Sequence, residues 1–437
     1  MKRDIEKKLI EWKISDNRYP LLIRGARQVG KSFSIENFAE KNFKNKIVIN
    51  FELQPNLKEC FSSLEPSDII NKINLILGAQ VDENTLLFLD EIQECPQAIS
   101  SLRYFKEKAP HIPVIGAGSL LEFALQETAF KMPVGRVQVL YLYPLSFSEF
   151  LTASGTQNLR DFLSEIKPPF ESFDNAIHNK LIELLRLYLV LGGMPAVLKE
   201  YFSSKNLLNC QNIQTALLQT YRSDFGKYAK LSQHKFLQKV FDSAPRLIGQ
   251  RIKYSNIDSN DKSRDLKNAL ELLILAGVIT PIYASSASGL PLPATINERK
   301  FKLNFLDTGL MQNACGLQAE LGTTNDFIQI NSGAVAEQFV GQELKAYSPA
   351  NKNSDLFFWT REERGSSAEI DFIINIGSDI FPLEVKSAKG GRLKSLKMFL
   401  ENKKSKFGIK VSQEKPSFHD KLLSLPLYMI EQITRIA

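Results

Sequence analysis

Pro20-Leu21-Leu22-Ile23-Arg24-Gly25-Ala26-Arg27-Gln28-Val29-Gly30-Lys31-Ser32 is the stretch around which the rest of the chain is organised. The apolar run at 19–23 reads as a short strand, and helical sequence follows Ser32 to about Phe43. Between them, residues 25–32 match the phosphate-binding pattern GxxxxGK[ST]. Gly25 and Gly30 permit backbone conformations that a Cβ would block. Successive N–H groups of Gly25, Ala26, Arg27, Gln28, Val29 and Gly30 then turn inward at a helix N-terminus and cradle phosphate oxygens. Lys31 would add a point charge for β- and γ-phosphates, and the Ser32 hydroxyl would ligate Mg²⁺. Chance supplies the four fixed positions on the order of 0.01–0.02 times in a chain this long, and the strand and helix on either side lower that further.

The second half of such a site is Leu86-Leu87-Phe88-Leu89-Asp90-Glu91, an apolar strand that ends in two carboxylates. Asp90 would hold Mg²⁺ through water, and Glu91 would orient and deprotonate an attacking water. Ser119, at the end of a further strand, either senses the γ-phosphate or N-caps the helix after it. Arg136, after Gly135, is either a surface residue or a group that stabilises transition-state charge, in cis or from a neighbouring chain.

Around these motifs, strands at 47–51, 85–89 and 112–116 alternate with helical stretches at 65–78 and 97–109. That alternation specifies an α/β protein with a parallel sheet and crossover connections. From 159 to 243 the periodicity is helical, broken only at Gly192-Gly193-Met194-Pro195. Residues 234–290 read as three helices followed by a strand near 278–283, with a second strand near 300–304, the order of a winged helix-turn-helix. One of these helices, 264–276, carries Arg264, Lys267 and Glu271 on one side, in position for DNA contact or as a structural lid. A helix at 333–346 and strands at 355–360, 369–376 and 380–386 return the chain to α/β character.

Those last strands hold a second constellation. Asp371 and Glu384 sit in strongly apolar runs, where unpaired charge is costly. A turn at 375–379 would make the two strands antiparallel and bring the carboxylates together. Alternation puts Glu384 and Lys386 on one strand face. Asp371 and Glu384 would hold a divalent cation, with Glu337 on the preceding helix as a further ligand, and Lys386 would orient the nucleophilic water. This is the D…ExK arrangement of PD-(D/E)xK nucleases. Lys386, Lys389, Arg392, Lys394, Lys397, Lys403, Lys404, Lys406 and Lys410 follow with a single acid, Glu401. The run is either a solvated face or a phosphate-binding one.

Composition fits this organisation. Of 437 residues, 43% are apolar and 24% charged, which excludes collagenous, mucin-like and wholly disordered chains. A formal charge of +7 permits a polyanionic partner. Cys60, Cys95, Cys210 and Cys315 are too scattered for a zinc site and too few for a disulfide scaffold. The four histidines are also dispersed. The opening MKRDIEKKLIEW has no apolar leader core, and the uncharged stretch 272–297 is interrupted too early to span a membrane. A soluble, cytoplasmic protein without membrane contact is expected.

With these residues in hand, the sequence resembles a family of prokaryotic AAA+-type P-loop ATPases whose members end in an uncharacterised PD-(D/E)xK-like domain. The resemblance spans nearly the whole chain. It is carried by residues 20–32, Asn50-Phe51-Glu52, Leu89-Asp90-Glu91-Ile92-Gln93, Gly118-Ser119, Gly135-Arg136 and Pro144-Leu145-Ser146-Phe147-Ser148-Glu149-Phe150. Further on it rests on 192–195, Asp307-Thr308-Gly309-Leu310, 333–337 and 369–386. Thr is frequent where this chain has Ser32 and more usual before Gly118-Ser119, where it has Ala117. The resemblance implies an AAA+ (ASCE) P-loop domain at 1–155 and a helical lid at 156–230. A winged-helix-like segment at 231–317 and a restriction-endonuclease-like α/β domain at 318–437 would follow. It implies ATP hydrolysis, with ATP contacts on residues 25–32, Asp90 and Glu91. The nucleotide cycle would switch or drive a DNA-associated C-terminal domain. Alternatively, that domain is a catalytically inactive nuclease fold that binds DNA or protein. ATP and Mg²⁺ are the expected cofactors; DNA, a second copy of the chain and a partner protein are the expected macromolecular partners.

Overall fold

Leu21, Leu22 and Ile23 are fully buried, and the strand they form, β1 (Leu21–Arg24), lies inside a parallel sheet. The computed structural model describes the chain except for residues 120, 125–134, 169, 171–172, 230, 318–332, 364–365, 387–392 and 437. Two of the basic positions, Lys389 and Arg392, and the stretch 318–332 that opens the expected C-terminal domain lie outside the described residues. The chain divides into two compact units. The first comprises Met1–Tyr143, Leu275–Gly277 and Ser348–Asn353; the second comprises Pro144–Ile274, Val278–Tyr347 and Ser354–Ala437.

In the first unit, β1 is joined by β2 (Asn45–Asn50), β3 (Thr85–Asp90), β4 (Val114–Ala117) and β5 (Gln138–Tyr141) in the spatial order β2-β3-β4-β1-β5, all parallel. The first four strands lie within two or three residues of the sequence reading. The fifth was not anticipated. Its four residues include only one fully buried side chain, Leu140, too little apolar pattern to announce a strand. The helices Pro66–Leu77 and Pro96–Lys108 begin with proline at the position where no N–H is needed, and Gly78 closes the former in a left-handed conformation. All six residues of β3 are buried. Leu87 and Leu89 point into a core with Ile49, Phe51, Phe61, Ile69, Leu102 and Phe105, where each large side chain contributes roughly 1.5–3 kcal/mol.

The second unit opens with the helices Phe147–Ala153, Gln157–Glu165, Asn175–Leu191, Pro195–Ser204, Leu207–Ser223 and Leu231–Ser243. Between 231 and 305 the described residues form two α-helices, the second being Ser263–Leu275, with 3₁₀ turns at Ala244–Leu247 and Tyr254–Asn256 between them. An antiparallel ribbon follows, β6 (Ile279–Ser285) and β7 (Ile296–Phe305). It does not stand free as a wing. β6 pairs in parallel with β8 (Leu356–Glu363), so the ribbon is one edge of an eight-stranded sheet. The sheet continues through β9 (Ser366–Ile376), β10 (Asp379–Val385), β11 (Gly408–Ser412), β12 (Ser417–His419) and β13 (Leu422–Pro426), in the order β12-β13-β11-β10-β9-β8-β6-β7.

Three motif segments outside the two candidate sites meet inside this second unit. Gly193 N–H donates to Asp307 Oδ2 at 2.6 Å, and Leu145 N–H donates to Gly193 O at 2.8 Å. A Cβ on Gly193 would lie 2.1 Å from the Leu145 carbonyl oxygen, and one on Gly192 would lie 2.0 Å from Asp307 Oδ1. Asp307 also caps the helix Thr308–Cys315 through Leu310 N–H at 3.0 Å. Ser146 and Glu149 form a capping box on Phe147–Ala153, and the buried Glu343 carboxylate accepts from Phe147 N–H. These motif residues are therefore used for backbone packing and helix capping.

Candidate functional site

β1 runs directly into the glycine loop. Positive φ at Gly25 (149°), Gln28 (61°) and Gly30 (94°) coils the backbone between Arg24 and the helix Lys31–Asn42. A Cβ on Gly25 would lie 2.1 Å from the Leu142 carbonyl oxygen, so only glycine fits that turn. Ala26 and Val29 are buried. Arg3 braces the loop from outside, donating to Val29 O at 3.0 Å and to Tyr143 O at 2.7 Å. Arg27 Nη2 lies 3.9 Å from Glu52. Lys31 turns its ammonium into the concavity, donating to Gly25 O at 3.0 Å and Ala26 O at 2.8 Å. Burial brings that ammonium down to about 8, against the pull of Glu91 and Asp90.

The carboxylates of β3 meet this loop. Ser32 Oγ donates to Asp90 Oδ1 at 3.0 Å and Oδ2 at 3.1 Å, and Asn50 Nδ2 donates to Asp90 Oδ2 at 3.1 Å. Burial pushes the Asp90 carboxyl up, while the Ser32 hydrogen bond opposes it. Glu91 follows in a left-handed conformation, φ 48°. Its Oε2 accepts from Gln93 Nε2 at 2.6 Å and from Ser119 Oγ at 3.4 Å. Such backbone strain in a non-glycine residue persists where the surroundings over-determine it. Because β4 lies between β1 and β3, the loops after these strands share the carboxyl edge of the sheet, where ligands bind in open α/β folds. The residues fit a nucleotide and its magnesium: a glycine cradle, an inward ammonium, and a hydroxyl and carboxylate within hydrogen-bond distance.

Arg136 is placed differently from the nucleotide contact expected of it. It precedes β5, which starts beside Leu21, the amino end of β1, so it stands at the opposite end of the sheet from Lys31. There its guanidinium bonds Glu107 Oε1 at 3.0 Å. A contact with its own chain's nucleotide would have to cross the length of the sheet. Three supporting residues went unassigned in the sequence: Asn50, Gln93 and Arg3. Asn50 and Gln93 stand inside quoted motif segments, but only the fold shows what they touch.

The second constellation lies in the second unit. β9 and β10 pair antiparallel as far as Leu383 opposite Phe372, the residues next to Glu384 and Asp371. Asp371 Oδ2 accepts from Val385 N–H at 2.8 Å, and Lys386 Nζ lies 2.7 Å from Glu384 Oε1. The residue that sequence reasoning missed is Lys302 on β7, only 1% exposed. Its Nζ lies 2.6 Å from Glu369, 3.4 Å from Glu337 and 3.9 Å from Asp371. Arg251 Nε lies 2.7 Å from the other Glu369 oxygen. Burial and Asp371 push Glu337 up to about 8, with Lys302 opposing. Burial and Asp371 push Glu384 up to about 7, with Lys386 opposing. Burial also raises Asp371, against the pull of Lys302. Among the described residues, no three Asp, Glu, His or Cys side chains form a group that could hold a metal ion.

Comparison with known proteins gives three family matches along the chain. Residues 17–151 match the family described as an AAA domain. Residues 182–321 match a domain of unknown function, DUF8612, and residues 332–428 match another, DUF4143. Curated proteins give no match. Among solved structures, the chain is similar to the Walker-type ATPase PABY2304 of Pyrococcus abyssi, at 17% identity over 72% of this chain and 95% of that one, with a TM-score of 0.45. It is also similar to the Orc1 protein of Aeropyrum pernix in complex with DNA, at 11% over 72% and 90%, TM-score 0.28. AMPPCP-bound DnaA of Aquifex aeolicus matches at 14% over 62% and 85%, TM-score 0.23. All three scores lie below 0.5, so the assignment rests on the family match and on this chain's own strand order and loop. No helix among the described residues is long and apolar enough to cross a membrane. The N-terminal part of the chain is an AAA+-type P-loop ATPase domain.

Proposed function

We propose that the chain is a Mg²⁺-dependent ATP hydrolase whose nucleotide cycle switches a DNA-associated, nuclease-like C-terminal unit. One observation carries the first part: Lys31, Ser32, Asp90 and Glu91 stand together on the carboxyl edge of one sheet, tied by the bond from Ser32 to Asp90. In this reading, the N–H groups of residues 25–30 and the Lys31 ammonium hold the phosphates. Ser32 and Asp90 would hold Mg²⁺, which supplies charge neutralisation on the phosphates. Glu91 takes a proton from the attacking water, and Gln93 and Ser119 fix the direction in which its carboxylate points. Ser119 thereby acts through Glu91, in the place where a γ-phosphate sensor is expected. Arg136 retains a role only toward a neighbouring chain's site.

The DNA-associated part rests on charge. The net charge is +7, and Arg264, Lys267, Lys394, Lys397, Lys403 and Lys404 lie on the solvent side of their helices or at their ends. Phosphate contacts from such side chains give sequence-independent binding that weakens as salt rises. The test is ATP turnover by the full chain beside Lys31→Ala and Glu91→Gln, with and without duplex DNA. Turnover by Lys31→Ala equal to the parent's would sink the assignment of the nucleotide site. Turnover and nucleotide affinity that ignore DNA at every salt concentration would remove the DNA-associated part.

A further inference from the structure

The sequence places Asp371, Glu384 and Glu337 as ligands for a divalent cation, and the structure does not fit that ion. Between Glu337, Glu369 and Asp371 stands the Lys302 ammonium, at 3.4, 2.6 and 3.9 Å. We infer that Lys302 is the resident cation of this cluster, holding by one fixed positive charge the carboxylates that a nuclease would turn on a metal ion. The C-terminal unit therefore performs no metal-dependent phosphodiester cleavage.

The geometry leaves Lys302 little freedom. Its strand neighbours Phe301 and Leu303 are buried, the side chain itself is 1% exposed, and Nζ lies 5.4 Å from the centre of the Phe358 ring. An ammonium that swung away would take from the largely buried Glu337 and Asp371 the positive charge beside them, and would leave Glu369 to Arg251 alone. A divalent ion placed among the same oxygens would stand within a few ångströms of Nζ, in a medium that screens like charges poorly. Glu369 is further engaged by Arg251 at 2.7 Å, and Glu384 by Lys386 at 2.7 Å. Glu384 Oε2 is buried with no hydrogen bond among the described residues, yet no further carboxylate joins it to complete a metal shell. Lys386, 29% exposed, is the lysine expected from the motif; Lys302 is an additional one supplied from β7.

The inference rests on reading Asp371, Glu384 and Lys386 as a nuclease-like arrangement, and the experiment separates the two. The full chain, without nucleotide, is titrated with Mn²⁺ and the free ion is followed by electron paramagnetic resonance. The parent and Asp371→Asn should superimpose to millimolar Mn²⁺. Lys302→Gln should gain one site, more than about tenfold tighter than anything in the parent, because one buried positive charge has gone. That site should vanish again when Asp371→Asn is added. A parent site lost in Asp371→Asn overturns the inference and leaves the nuclease-like reading standing. A Lys302→Gln chain with the parent's circular dichroism but no new site overturns both. Should Lys302→Gln not fold, the comparison of the parent with Asp371→Asn decides alone.

Discussion

Ser32 Oγ donates to both carboxylate oxygens of Asp90, at 3.0 and 3.1 Å, across 58 residues of chain. The bond joins the helix after the glycine loop to the end of β3, and it sets the distance between the phosphate cradle and Glu91. Lys31→Ala should therefore abolish nucleotide binding. Glu91→Gln should keep binding while slowing turnover by roughly 10²–10⁴, since it removes the base and leaves the cradle. Nucleotide fluorescence and phosphate release read the two effects separately.

Asn50 holds the far side of Asp90 through Nδ2 while its Oδ1 accepts from Glu52 and Leu53 N–H. A hydrogen bond to a charged group contributes about 1.5–3 kcal/mol, so Asn50→Ala should reduce turnover by at least about tenfold with little change in nucleotide affinity. Parent-like turnover would show that Ser32 alone positions Asp90.

Gly193 stands where a methyl group has no room, 2.1 Å from the Leu145 carbonyl oxygen. Gly193→Ala should destabilise the second unit by about 1–3 kcal/mol or more through forced backbone displacement. Gly289→Ala, with no atom within 4 Å of its added Cβ, should be close to neutral. Denaturant midpoints that do not separate the two variants would refute the packing role of the Gly192-Gly193 segment.

Burial raises the Glu343 carboxyl from 4.5 to about 8 and the Asp307 carboxyl from 3.8 to about 6. The folded chain then binds more protons than the unfolded one between the lower and upper values. Stability is greatest below the unfolded values and is lost as pH rises through the folded ones, by up to about 1.4 kcal/mol per pH unit for each group. Melting temperature should accordingly fall between about pH 4.5 and pH 8. Glu343→Gln keeps an acceptor for Phe147 N–H and should flatten that decline. An equally steep decline in the variant would show that Glu343 is not held neutral.

Charge reversal of Arg264 and Lys267 tests the DNA-associated helix. Both are exposed, and Lys267 lies 3.6 Å from Glu271 on the same helix. If they contact phosphates, the reversal should weaken binding and reduce the slope of log affinity against log salt by about 1 per contact. Identical binding at every salt concentration would leave the helix a structural role.

Whatever depends on local pattern could be read from the residues alone. Residues 25–32 are contiguous, so the loop, its strand and its helix were readable at once, and a strand ending in Asp90-Glu91 needed only its apolar run. The antiparallel pairing of the strands that carry Asp371 and Glu384 was legible for the same reason, because a short turn joins them. The remainder depends on contacts between segments far apart in the chain. β5 carries one fully buried side chain and becomes a strand because β1 offers it an edge. Arg136 lies away from the glycine loop because a parallel sheet sends the start of β5 to the amino end of β1. Lys302 comes from a strand far up the chain and meets Glu337, Glu369 and Asp371 only once the second sheet has formed. No spacing in a sequence encodes such a meeting. It follows from desolvation, which makes a buried carboxylate cluster untenable until some strand brings it a cation.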